Sequence, residues 1–353
     1  MSSFRRGFRN SNPLILVVAA LLLVPALLGI EGIFASGLWT RAPLEYCLRT
    51  ARDSFTYVSW TVGRTKQAPP EGPAVYLLGG SAAREAIVGG EDLAADIAEF
   101  GGPDVTAYDF GSINQSFAQS LTVLDNVPDT PAWLIVGVNL GRFTPDKEAS
   151  IDQVRGREFL LKSPALQGFV SDEWGVRSRG RTILPGVFSY VTDLSERQVQ
   201  RLLAGAPLSR EYRQHAYTAG KVRSVPEKEQ MVEVWNTERY PEFERNRLLN
   251  LQVLEALVER GRERGLRVVL VELPLNEAIV RGRFDYARAD YKRPVRDLAR
   301  RYDLPYLDFN DELAIPNADF YDLSHLVEPG RELWQRRLAR ELVGLMGAAD
   351  ADS

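Results

Sequence analysis

The hydrophobic pattern divides the chain into two unequal parts. Residues 13–30 read PLILVVAALLLVPALLGI, an uncharged run that as a helix measures about 27 Å, close to the thickness of a bilayer core. From residue 74 onward, short apolar runs alternate with longer amphipathic segments. The runs at 74–80, 105–111, 132–140, 266–274 and 304–310 have strand length, and most are apolar almost throughout. Helical spacing predicts helices at 91–100, 116–124, 242–265, 291–302 and 329–346. Strands that alternate with helices and lack a polar face imply an α/β fold, a parallel sheet covered on both sides.

Two stretches depart from this alternation. Between the span and the first strand, Leu44, Cys47, Leu48, Ala51, Phe55 and Val58 fall at helical spacing, which predicts one amphipathic helix over 44–60 near the membrane surface, followed by the proline-rich connector QAPPEGPA at 67–74. The stretch at about 142–240 is rich in Arg, Gly and Ser and reads as an insertion or cap with one helix at 195–203. The expected organisation is therefore a basic tail (1–12), a transmembrane anchor (13–35), a juxtamembrane helix and linker (36–73), the main domain (74–347) and a short tail (348–353).

Charge sets the orientation and narrows the function. Arg5, Arg6 and Arg9 precede the span without an acidic residue, so the positive-inside rule places the N-terminus in the cytoplasm and the main domain outside it, as in a single-pass protein of the inner (cytoplasmic) membrane with an extracytoplasmic or periplasmic domain. Signal-peptide cleavage prefers small residues at −1 and −3; Ala35 meets the first requirement and Ile33 fails the second, which favours a retained anchor. A net charge of −4 argues against a nucleic-acid partner. Cys47 is the single cysteine and His215 and His325 the two histidines, so neither an intramolecular disulfide nor a Cys/His metal cluster is expected, and no cofactor is implied.

The polar residues at the strand ends carry the chemistry. Ser81 follows the first strand, Gly111 ends the second and Asn139 ends the third, so all three gather at the carboxyl edge, where open parallel sheets bind ligands. Near the C-terminus, DFYDLSHL sets Asp322 three residues before His325; Asp319 is the competing carboxylate at a poorer spacing. A serine becomes a nucleophile when a histidine takes its proton and a carboxylate orients the ring. The N–H groups of Ser81 and Gly111 and the Asn139 amide are candidate oxyanion donors. Each residue also has a plainer role: Ser81 as a helix cap, Gly111 and Asn139 as turn residues, His215 as a surface or groove residue.

Taken in order, GGSAAR, YDFGSINQS, VGVNLGRF and YDLSHL resemble the four blocks of the SGNH (GDSL-like) hydrolase superfamily. The resemblance covers most of 74–346, with the middle stretch unmatched, and departs from the usual pattern at Gly80 and Asp109. It implies a flavodoxin-like three-layer sheet with Ser81, Asp322 and His325 as the triad and Ser81, Gly111 and Asn139 around the oxyanion. The anchored arrangement is similar to the proteins of alginate O-acetylation and to the D-alanyl transfer protein of teichoic-acid modification. That similarity implies a serine O-acyltransferase or esterase acting on acyl groups, acetyl first, of an envelope or exported polysaccharide, with a multi-span membrane O-acyltransferase as partner. The alternatives are a noncatalytic glycan-binding or assembly factor, and a lipid esterase or thioesterase at the membrane surface, the latter favoured if the middle stretch forms an apolar tunnel.

Overall fold

The computed structural model describes residues 13–154, 158–175 and 182–351; Arg5, Arg6 and Arg9 lie outside them. Five strands, β1 (Ala74–Leu78), β2 (Thr106–Asp109), β3 (Ala132–Val138), β4 (Arg267–Glu272) and β5 (Tyr306–Leu307), form one parallel sheet in the order β2-β1-β3-β4-β5. This is the doubly wound, flavodoxin-like order, whose direction of winding reverses between β1 and β3. The β1 and β3 side chains are buried throughout, which is why their sequences lack polar alternation.

The helices used below are, in chain order, α1 (Pro13–Ala35), α2 (Ser54–Gln67), α3 (Ser81–Arg84), α4 (Gly90–Glu99), α5 (Phe117–Leu124), α6 (Pro164–Trp174), α7 (Leu184–Leu203), α8 (Val225–Val234), α9 (Tyr240–Glu263), α10 (Asp285–Arg301) and α11 (Glu328–Ala351). Successive β1 residues feed two separate cores, as a strand's period of two requires. Tyr76 and Leu78 pack with Val58 of α2, Leu121 of α5, Leu257 of α9 and Val295 of α10. Val75 and Leu77 pack with Ala83 of α3, Ile97 of α4 and Leu338 of α11.

Helix α1 is long and apolar enough to cross a bilayer, and Leu21, Leu22 and Leu28 stand well exposed along it. Its C-terminal end joins the globular part directly. Ile30, Phe34 and Ala35 pack against Leu160, Ile183, Val187 and Tyr190, and Glu31 meets Lys162 at 2.7 Å and the Thr182 hydroxyl at 2.8 Å.

The structure differs from two expectations. The helix expected over 44–60 is two helices, Leu44–Cys47 and α2, because Asp53 caps a new start. Its carboxylate accepts from the Thr56 N–H at 3.3 Å and hydroxyl at 2.7 Å and from both ends of the Arg49 guanidinium at 2.8 Å. Helix α2 then belongs to the domain core, with Val58 and Val62 fully buried. The middle stretch also holds more than the helix at 195–203, since Lys147–Val154, α6, all of α7 and α8 lie within it.

Burial raises the Asp53 pKa, but the bonds from Arg49 and Thr56 more than offset this and hold it below its ordinary value. Asp53→Ala therefore removes a cap and the close partner of Arg49, which keeps only the more distant Asp193 carboxylate at 3.8 Å; with Arg49 partly exposed, the expected loss is about 2 kcal/mol. Thermal unfolding of the purified chain reads this loss, and an unchanged midpoint would show that Asp53 does not hold the start of α2.

Candidate active site

Strand β1 turns into α3 through two glycines. A side chain on Gly79 would place its Cβ 2.4 Å from the Ala83 Cβ, so only glycine permits so tight a turn. Gly80 is the N-cap in extended backbone and Ser81 the first helical residue. The serine is thus not the cap. Its Oγ lies 2.8 Å from His325 Nε2 across 244 positions of sequence.

His325 sits in a small turn closed by the antiparallel bridge between Phe320 and Leu326. Its Nδ1 is 2.8 Å and 2.9 Å from the two oxygens of Asp322, and Asp322 Oδ1 also accepts from the N–H groups of Ser324 and His325 at 2.9 and 3.0 Å. Burial pushes the Asp322 carboxyl up, while the His325 ring and these two N–H groups pull it further down, to below its ordinary pKa. The carboxylate is ionised at neutral pH, which fixes Nδ1 as the protonated ring nitrogen and leaves Nε2 to accept from Ser81. Beyond β4, Asn276 holds the turn from beneath: its N–H donates to Leu323 O at 2.9 Å and its Nδ2 to Asp322 O at 3.1 Å. The competing Asp319 takes part through its backbone carbonyl, which accepts from the Val327 N–H at 2.8 Å.

The candidate oxyanion donors divide differently from the sequence expectation. The Gly111 N–H is occupied, donating to Asp109 Oδ1 at 2.8 Å, and Gly111 does not line the cleft at Ser81. A glycine stands there for space, since a Cβ would come within 3.0 Å of the Arg84 backbone nitrogen. Three residues later Asn114 does line the cleft, in left-handed backbone at φ 52°, and among the described residues neither its N–H nor that of Ser81 donates to a protein acceptor. Asn139 also lines the cleft. Its Oδ1 accepts from the Arg142 N–H at 3.2 Å, and since an N–H only donates, that bond fixes the amide and leaves Nδ2 for the cleft.

Arg142 was not singled out from sequence, yet it ties this edge together. Its buried guanidinium donates to the carbonyls of Gln115 at 3.2 Å, Ser116 at 3.0 Å and Gly137, and to the Ser120 hydroxyl. It lies 4.1 Å over the Phe117 ring. Burial lowers its pKa to about 9, so it stays cationic at neutral pH beside the loop that carries Asn114.

Behind Ser81 lies a second buried group. The Glu85 side chain is fully buried and accepts from Arg331 Nη2 at 2.6 Å, the Ala216 N–H at 2.8 Å and Arg84 Nη2 at 3.1 Å. His215 belongs here rather than in a groove, with Nδ1 3.4 Å from Glu85 and Nε2 2.9 Å from Val88 O. Arg331 also donates to Tyr217 O at 2.7 Å, and the Tyr217 ring lies 4.8 Å from the His325 ring.

Two cavities meet at the centre. One is a polar cleft of about 710 Å³ that holds Ser81 and is lined by Asn114, Gln115, Arg142, Glu242 and Arg245 among others. The other, of about 620 Å³, is walled mainly by apolar side chains, including Met231, Val234, Leu275, Phe284 and Leu323. Asn139, Trp235, Ser324 and His325 line both. Among the described residues no group of three or more His, Cys, Asp or Glu side chains is placed to hold a metal ion.

No family model and no curated protein matches the sequence. Among solved structures the chain is similar to the lipase/acylhydrolase from Enterococcus faecalis, at 14% identity over 77% of this chain and 96% of that chain, with a TM-score of 0.36.

The Glu85 ion cluster sets an acid limb for stability. Burial raises the carboxyl pKa, but His215, the Ala216 N–H and the two arginines lower it further, to about 2 from an ordinary 4.5. Between those values the unfolded chain binds more protons, so the contribution, about 3 kcal/mol, is complete above pH 4.5 and lost as the pH falls towards 2. Glu85→Gln should lower stability at neutral pH and flatten its dependence between pH 4.5 and 2. Parallel unfolding curves for the two proteins across that range would rule this out.

Proposed function

We propose that the protein is a serine-dependent O-acyl esterase or acyltransferase of the SGNH type, with Ser81 as nucleophile, His325 as base and Asp322 as its orienting carboxylate. The observation that carries this reading is the unbroken line of hydrogen bonds from Asp322 through His325 to Ser81, opening on a cleft. In the proposed reaction Ser81 Oγ attacks the ester carbonyl carbon while His325 Nε2 takes the hydroxyl proton. The negative charge that develops on the carbonyl oxygen is met by the N–H groups of Ser81 and Asn114 and by Asn139 Nδ2. As the carbon–oxygen bond to the alcohol breaks, His325 returns the proton to the departing oxygen. Water or a second hydroxyl then attacks the acyl-serine, again losing its proton to His325; the bond to Ser81 Oγ breaks, His325 returns the proton to that oxygen, and an acid or a new ester is released.

The acceptor class follows from the polar cleft, whose amide, guanidinium and carboxylate groups suit a polyhydroxylated glycan. The uncharged span and the basic residues before it favour work at the outer face of the cytoplasmic membrane on an envelope or exported polysaccharide. There a multi-span acyltransferase would supply acyl groups from the other side.

The full chain should hydrolyse a small activated acetyl ester slowly, with water in place of the acceptor. Ser81→Ala and His325→Ala should each cost on the order of 10⁴ in rate and the double variant little more, because members of such a unit are strongly non-additive. Asn139→Ala should cost roughly 10² to 10³. Hydrolysis that is equal in the wild type and Ser81→Ala would favour the noncatalytic glycan-binding alternative.

A further inference from the structure

We infer that the apolar chamber beside His325 holds the acyl chain of the ester, so that the transferred group is a hydrocarbon chain of several carbons and not acetyl alone. This rests on the serine-esterase reading and adds to it which side of the substrate goes where. An ester bound for attack must put its carbonyl oxygen at Asn139 Nδ2 and its departing oxygen at His325. Both residues face both cavities, whereas Ser81 lines only the polar cleft, so a substituent of that ester that leaves the reacting carbon past Asn139 and His325 enters the second space. The polar cleft accepts the alcohol. The other space, walled by Met231, Val234, Phe284 and Leu323 with Arg223 and Glu227 among its polar lining, offers a hydrocarbon mostly apolar surface to cover.

The chamber is not a packing fault of the core. At about 620 Å³ it has the size of a ligand pocket, and much of its wall, Met231, Val234 and Trp235 included, comes from the middle stretch of the chain, outside the alternating strand and helix pattern. A single π-helical turn at Trp235–Arg239 joins α8 to α9 and sets both Trp235 and Arg239 at the junction of the two cavities. Such turns recur at functional sites, where they re-aim side chains at the cost of regular helix. Met231 adds a flexible, polarisable wall that adapts to chains of different length.

The test compares acetate, butyrate and octanoate esters of p-nitrophenol, with the full chain in lipid nanodiscs so that detergent does not fill the chamber. Burial of each methylene is worth about fourfold in binding, and kcat/KM should rise at least about tenfold from acetate to octanoate. Val234→Trp and Leu275→Trp each fill the chamber from a different element and should lower the octanoate-to-acetate ratio at least about tenfold; two positions keep the test readable if one variant fails to fold. A wild-type ratio that is flat, or one unchanged in both tryptophan variants, with hydrolysis still dependent on Ser81, overturns the chamber assignment and leaves the esterase reading standing. No Ser81-dependent turnover of any ester overturns the esterase reading, and the chamber assignment with it.

Discussion

Glu85 is a carboxylate with none of its surface in water, and the arrangement at the cleft hangs on it. Its partners come from separate parts of the chain: Arg84 at the end of α3, the Ala216 N–H in the middle stretch and Arg331 in α11. Helix α3 begins with Ser81, and α11 follows directly on the turn that holds His325. A buried charge cannot be left unpaired without a cost of several kcal/mol, so this one carboxylate ties together the elements that carry a serine and a histidine 244 positions apart. Through Arg331 it also holds the carbonyl of Tyr217, whose ring lies against His325.

The sheet supplies the rest of the geometry. Because winding reverses between β1 and β3, the chain leaves their carboxyl ends in opposite directions and a cleft opens between them. Ser81 stands at one lip and Asn139 at the other. Arg142 spans the gap by binding the carbonyls of Gln115 and Ser116 from the loop after β2 and of Gly137 from β3. The Asn139 amide is fixed by the Arg142 N–H, and the proposed stabilisation of an oxyanion requires such donors to be set in place before charge develops.

The sheet and its helices were legible because burial on both faces leaves strands such as β1 and β3 apolar throughout. Ser81, Asn139, Asp322 and His325 were legible because each lies at a strand end or in a short turn, where local sequence reports position. Asn114 was missed although it precedes the capping box of Ser116 and Gln119 and is of the residue type that best tolerates left-handed backbone. Gly111 drew attention as an oxyanion donor, whereas its N–H is taken by Asp109 and its lack of a side chain gives room to the backbone of α3. Arg142 and Glu85 were out of reach, and His215 was read as a surface or groove residue, since most of their partners are remote in sequence and nothing local distinguishes a buried arginine from an exposed one. The break between Leu44–Cys47 and α2 was hidden for a related reason: the apolar spacing runs on through Asp53, and only its pairing with Arg49 and Thr56 marks the new start.

The central claim, that Ser81 is an activated nucleophile served by His325, is tested most directly by intact-mass spectrometry after exposure to a small fluorophosphonate. Such a reagent phosphonylates a serine only where a base takes its proton and donors meet the developing charge. The account requires a single adduct that maps to Ser81 in the wild type and forms far more slowly in His325→Ala. An unmodified wild-type chain, or labelling that is indifferent to His325, would contradict it.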